Sequence, residues 1–125
     1  MDRAGVERWL GAYERAWRTE GTAMLPSVFP DDVSYRPSPW GSPFEGIAAV
    51  ADFWERERKG ADEEFVMSSE VVAVDGSVAV VRVSVDYGEP LHSRWRDLWV
   101  VEFAADGRCS AFEEWPFAPE QRDGH

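Results

Sequence analysis

Three side chains in this 125-residue sequence have types and settings suited to proton transfer: Asp97, Glu114 and Tyr13. Asp97 lies in "SRWRDLWVVEF", where strand alternation places it on one face with Trp95 and Trp99. A carboxyl held against indole rings and away from water ionises less readily, which suits it to acid or base work near neutrality. A structural salt bridge to Arg94, Arg96 or a neighbouring strand is the other fate open to it. Glu113 and Glu114 are adjacent in "CSAFEEWPF", so one faces each side of a sheet, and alternation alone does not say which. Arg82, in "SVAVVRVSVDY", is a counter-ion available to either carboxylate. Tyr13 sits on an apolar helical face, either as core or as a phenol able to donate to a developing oxyanion.

Other chemistries find little support. A single cysteine, Cys109, allows no internal disulfide and no cysteine zinc cluster. The histidines are His92, beside a turn, and His125, in the tail, which is a poor basis for a metal site with two histidines and a carboxylate. No phosphate loop, nucleophile elbow or dinucleotide fingerprint occurs. No metal and no cofactor is expected. The net charge of -11 argues against nucleic acid and against an anionic membrane surface as partner. The start, "MDRAGVERWL", is charged from its second residue, and no apolar run approaches the ~20 residues of a membrane span. A cytoplasmic protein is the expectation.

The elements that must position these residues follow from periodicity. Val6, Trp9, Leu10, Tyr13, Ala16 and Trp17 recur at helical spacing, with Asp2 as cap and Gly21 past the end. Thr22 to Phe29 reads as a second, short helix with Pro26 near its first turn. "DDVSYR" reads as a brief strand. Ile47, Val50, Ala51 and Trp54 then repeat the helical spacing up to Gly60, with Asp52–Arg56 and Glu55–Lys59 four apart on the wet face. Beyond Gly60 the period changes to that of strands. Four long segments, separated by "DG" at 75–76, "GEP" at 88–90 and "DG" at 106–107, predict an antiparallel meander. Helices first and strands after give an α+β fold over residues 1–118, with 119–125 as a tail.

Two further expectations concern surfaces. The third long segment carries Trp95, Trp99, Val101 and Phe103 on one face, and Leu98 and Val100 on the other. With both faces apolar, one covers the helices and the other calls for a partner, so a homodimer through the sheet is expected. The connector "SYRPSPWGSPF" carries Pro37, Pro39 and Pro43 between aromatic residues. Such a stiff loop either forms a preorganised rim, with Tyr35, Trp40 and Phe44 as ligand wall, or is simply a compact connector plugged by Trp40. Trp17 and Trp54 belong to helical apolar faces and serve as core or as wall.

The order of these pieces resembles the nuclear transport factor 2-like superfamily, in particular its bacterial SnoaL-like members. The stretches "VFPDDVSYRPSPWGSPFEGIAAVADFWE" and "DGRCSAFEEWPF" carry the likeness, which extends over nearly the whole chain. It implies a cone: a strongly curved antiparallel sheet wrapped over the helices, with a pocket for a small, mostly apolar molecule at the open end. Wall residues on that reading are Trp17, Tyr35, Trp40, Phe44, Trp54, Arg82 and Trp99. The superfamily includes ketosteroid isomerase, scytalone dehydratase, limonene epoxide hydrolase and polyketide cyclases, and one scaffold serves them all. Tyr13 falls where the isomerase has its donor tyrosine. Arg36 or Pro37 stands where that enzyme has its base, and Trp99 roughly where it has its buried acid. The epoxide hydrolase arrangement of Asp, Arg and Asp is matched by Arg82 and by Glu114, which leans the inward choice toward Glu114, but Ser84 replaces the first aspartate. Neither set is complete, so the first reading is binding of a small apolar molecule, with cofactor-free acid–base catalysis by Asp97, Tyr13 and Glu114, of isomerase, cyclase or dehydratase type, as one use of the pocket. A ligand carrier and a dimeric association module are the alternatives.

Overall fold

A computed structural model describes residues 1–58 and 63–123. Helix α1 (Arg3–Arg18) starts where Asp2 accepts a hydrogen bond from the Gly5 N–H at 2.8 Å. Its stripe of Val6, Trp9, Leu10, Tyr13 and Ala16 is buried. The expected short helix is a single 3₁₀ turn (Leu25–Ser27), with Pro26 inside its first positions. Leu25, Val28 and Phe29 around it are essentially inaccessible, so their burial holds the segment in place where backbone hydrogen bonding is short.

Strand β1 (Ser34–Arg36) and the two-residue β2 (Phe44–Glu45) flank the proline-rich connector. Helix α2 (Ile47–Glu57) follows and ends at a cap on Arg58. Gly60 and Lys59, expected at its end and in a surface pair, lie outside the described residues. The long strands are β3 (Phe65–Asp75), β4 (Val78–Tyr87), β5 (Ser93–Phe103) and β6 (Cys109–Phe117). Their hairpins turn at the "DG", "GEP" and "DG" signals. A last 3₁₀ turn, Pro119–Gln121, lies in the stretch read as a tail.

The six strands form one unclosed sheet in the order β2-β1-β6-β5-β4-β3. Every neighbouring pair is antiparallel except β1 with β6, which run parallel. That parallel join sets Tyr35 opposite Phe112, and their rings stack at 4.6 Å. Register breaks leave Val72 of β3 and Ser110 of β6 as extra residues in their ladders, and such bulges bend a sheet. The helices cover the concave face. Trp54, Val81, Val83 and Val101 are fully buried between the layers.

The convex face is wet but not wholly polar. Leu98 is 40% exposed and its cross-strand partner Trp115 is 42% exposed. Arg82 also lies on this outer face, paired with Glu70 at 2.9 Å, so it is not a wall residue or a counter-ion for the inner carboxylates. Its even number in β4, between inward Val81 and Val83, is the physical reason. No helix among the described residues is long and apolar enough to cross a membrane.

Candidate functional site

A cavity of about 370 Å³ opens at one end of the concave face, between α1, the C-terminal end of α2 and the ends of the long strands. That volume lies at the lower end of the range for small-molecule pockets. Asp97 and Glu114 both line it. Asp97 is opposite Pro116 and Trp99 is opposite Glu114, so the two carboxyls are diagonal neighbours on one face of adjacent strands.

The two acids behave as a unit. Burial raises the Glu114 carboxyl well above its ordinary value, and a hydrogen bond to Asp97 together with the Asp97 charge raises it further. Burial also raises Asp97, while its hydrogen bonds to Glu114 and Trp99 act in the opposite direction. Both carboxyls are thus disfavoured as anions by burial, and each alters the other's titration. The Trp99 indole N–H donates to Asp97 Oδ2 over a long 3.4 Å and also lowers Glu114. Asp97 Oδ1 is buried and receives no N–H donor from the protein.

No guanidinium neutralises the pair. Arg94 and Arg96 point to the outer face, where both bind Asp86, at 3.3 and 2.9 Å. Glu113 also points outward and accepts from the Trp115 indole at 2.6 Å. Among the described residues no group of three or more His, Cys, Asp and Glu side chains could hold a metal ion.

The walls are aromatic. Tyr13 from α1 is buried with its ring 4.8 Å from that of Trp99. Burial, then the charge of Tyr35, raises the Tyr13 phenol, so it stays protonated and can donate but not accept a proton from carbon. Tyr35 from β1 is raised in the same way, by burial first and Glu114 second. Trp17 completes this wall, with its ring plane nearly parallel to that of Tyr13.

Three expected wall residues stand elsewhere. Trp40 is 95% exposed, so the proline connector does not hold it over the mouth; Pro37 is the connector residue that lines the cavity. Phe44 lies one layer out, packed at 4.9 Å against Phe53, which does line it. Trp54 is wholly buried behind Tyr13 and Trp17, at 5.3 and 4.7 Å, and belongs to the core.

Sequence reasoning missed the open end. Phe65 and Met67 from β3, Val85 and Tyr87 from β4, and Trp95 from β5 extend the apolar wall. Burial, followed by the Glu63 charge, pushes the Tyr87 phenol up to about 12. His92 reaches the mouth from the turn after β4, and a Cβ at Gly88, whose φ is +96°, would collide with its ring. Glu57 and Glu63 stand there as well. The inward half of each strand was readable from alternation. Position along the strand, which decides whether an inward residue meets core or cavity, was not.

A curved, unclosed sheet covered by two helices on its concave face is the architecture of the nuclear transport factor 2-like superfamily. Within it, the SnoaL-like domain profile matches residues 6–112, and the chain belongs to that family. No match was found among curated proteins. Solved structures that share the fold include a protein of unknown function with a cystatin-like fold from Methylobium petroleophilum, 19% identical, covering 95% of this chain and 80% of its own, with a TM-score of 0.71. Another is the epoxide hydrolase/cyclase-like enzyme SalBIII of pyran ring formation in salinomycin, 14% identical over 93% of both chains, TM-score 0.71. A third is an epoxide hydrolase of Mycobacterium tuberculosis like limonene epoxide hydrolase, 17% identical over 91% of this chain and 84% of its own, TM-score 0.66. Identities this low establish the shared fold, and the chemistry has to come from the residues.

Proposed function

We propose that this protein is a cofactor-free acid–base enzyme for a small, mostly apolar molecule, with Asp97 and Glu114 as its proton-transfer pair. One observation carries the reading: two inward carboxyls share a buried site with no arginine or lysine among the described lining residues. Among the described residues five other carboxylates, Glu14, Glu55, Glu70, Asp86 and Asp106, are paired with arginine. An unneutralised acid pair keeps a proton on one member and a charge on the other. Protonated Glu114 can then deliver a proton to an oxygen of the bound molecule while Asp97 removes one from another atom. Isomerisation, cyclisation and dehydration all consist of such a paired transfer. Tyr13 and Tyr35, permanently protonated, are hydrogen-bond donors for oxygen charge that develops in the cavity. The aromatic wall excludes water, which strengthens each of these interactions.

The test is turnover of a panel of small ketones, β-hydroxy ketones and hydroxy-epoxides, followed by mass spectrometry in heavy water. Reaction or solvent-hydrogen exchange that disappears in Asp97→Asn and Glu114→Gln supports the reading. Tight binding without turnover in the unmodified protein contradicts it and assigns a ligand carrier.

We also propose a homodimer through the convex face. The exposed cross-strand pair of Leu98 and Trp115 supports it, with Phe117 46% exposed on the same strand.

A further inference from the structure

We infer that the cavity takes an organic cation, a substituted ammonium carried on an apolar body, so that the small molecule of the proposed reaction is an amine. The inference rests on the acid–base reading of the same site and adds the charge of its ligand.

Three independent features converge on a cation. Eight of the eighteen lining residues carry tyrosine, tryptophan or phenylalanine rings. An alkylammonium is attracted to the negative face of such rings, most strongly to tryptophan, and the attraction grows when water is excluded. Four carboxyls join them: Asp97 and Glu114 within, and Glu57 and Glu63 beside His92 at the mouth. Among the described residues neither lysine nor arginine lines the cavity. An anionic ligand would meet the like charge of those carboxyls, and a neutral one would leave the inner charge uncompensated.

The third feature is Asp97 itself. It is 6% exposed, lines the cavity, and its Oδ1 lacks an N–H partner. In the empty cavity the pair holds one proton and one negative charge, and a bound ammonium neutralises that charge from the open side. A second proton and the cation therefore compete for Asp97, while the Glu114 proton stays in place for the reaction. Among the described residues six arginine–carboxylate pairs lie elsewhere, and none is formed by Asp97 or Glu114. The net charge of -11 also raises the local concentration of cations at the mouth.

The groups that face the pair are Tyr13 from α1, Tyr35 from β1, Glu57 from α2, Glu63 before β3, Tyr87 from β4 and His92 from the turn after it. Arg96, next to Asp97 in sequence, acts on it only through space from the outer face. The phenols stay neutral over any pH at which the protein is handled. His92 is the titratable group that must be separated from the acids.

The experiment compares phenyltrimethylammonium with its uncharged isostere tert-butylbenzene, by calorimetry on the intact chain. Measurements at pH 8 and pH 5.5 are made in the unmodified protein, in His92→Gln, and in the double variant Asp97→Asn, Glu114→Gln. The cation is expected to bind at least about tenfold more tightly than the isostere at pH 8, equivalent to 1.4 kcal/mol. That preference should shrink at pH 5.5 with release of a proton on binding, in His92→Gln as well, and vanish in the double variant. Equal or tighter binding of tert-butylbenzene at pH 8 overturns the inference, as does a preference that survives loss of both acids, or no binding of either probe. If the neutral probe wins while a shared proton is seen on the acids of the ligand-free protein, the cation claim alone falls. If the cation wins but the acids ionise as ordinary carboxyls, the acid–base reading falls instead.

Discussion

Trp99 lies directly across the β5–β6 ladder from Glu114, and its indole N–H points at Asp97 two residues before it on the same strand. One aromatic side chain thus touches both acids. This relationship fixes which glutamate faces inward: Glu114 shares the inner face with Trp99, and Glu113, opposite Val100, faces out.

Glu114→Gln is expected to stabilise the fold at pH 8 while removing its chemistry. A carboxyl whose folded pKa is raised binds its proton more tightly in the folded than in the unfolded chain. Stability therefore falls as pH climbs from the ordinary glutamate value through the raised one. Each unit of elevation corresponds to about 1.4 kcal/mol. Thermal melts should place the variant above the unmodified protein at pH 8 and bring the two together near pH 4. A variant less stable at pH 8 would show that the carboxyl is held ionised.

Arg58→Ala is expected to cost about 2–3 kcal/mol in urea unfolding. Its side chain, 8% exposed, donates to the carbonyls of Thr19 and Gly21, both at 2.6 Å, and to that of Ala16. It so binds the end of α1 to the end of α2, lying beside the rings of Trp17 and Trp54. Arg58→Lys should recover only part of the loss, because an ammonium cannot span those carbonyls as a planar fork does.

Trp40→Ala is expected to change stability by less than about 0.5 kcal/mol and to leave binding of any cavity ligand unaltered, since the side chain is 95% exposed. Calorimetry of the variant beside the parent checks both. A marked loss of affinity would return the connector to the role of rim.

Leu98→Glu is expected to convert a dimer to a monomer in sedimentation velocity, by placing a charge in the convex apolar patch. A parent protein that sediments as a monomer would contradict the dimer.

The sequence made α1 and the hairpins readable because their signals are local: a capping Asp2, a stripe at helical spacing, and Asp-Gly turns. The parallel join of β1 to β6 is a pairing between distant segments, and no local pattern announces it. The fate of Asp97 was partly within reach. Arg94 and Arg96 differ from it by odd numbers, so alternation alone sends them to the other face. The inward choice of Glu114 required the register with Trp99, which no single strand contains. Arg82 fell to the outer face by the same parity, and Trp40 faced solvent because the stiffness of a proline loop says nothing about its direction.

The central claim is a single proton shared by Asp97 and Glu114, and the most direct measurement is a carbon-13 NMR titration of their two carboxyl carbons in the ligand-free protein. A shared proton predicts that the Glu114 carbon keeps the shift of a protonated acid through neutrality, with both carbons moving together in two coupled steps. Two independent transitions, both complete below about pH 5 as for solvated carboxylates, would contradict it.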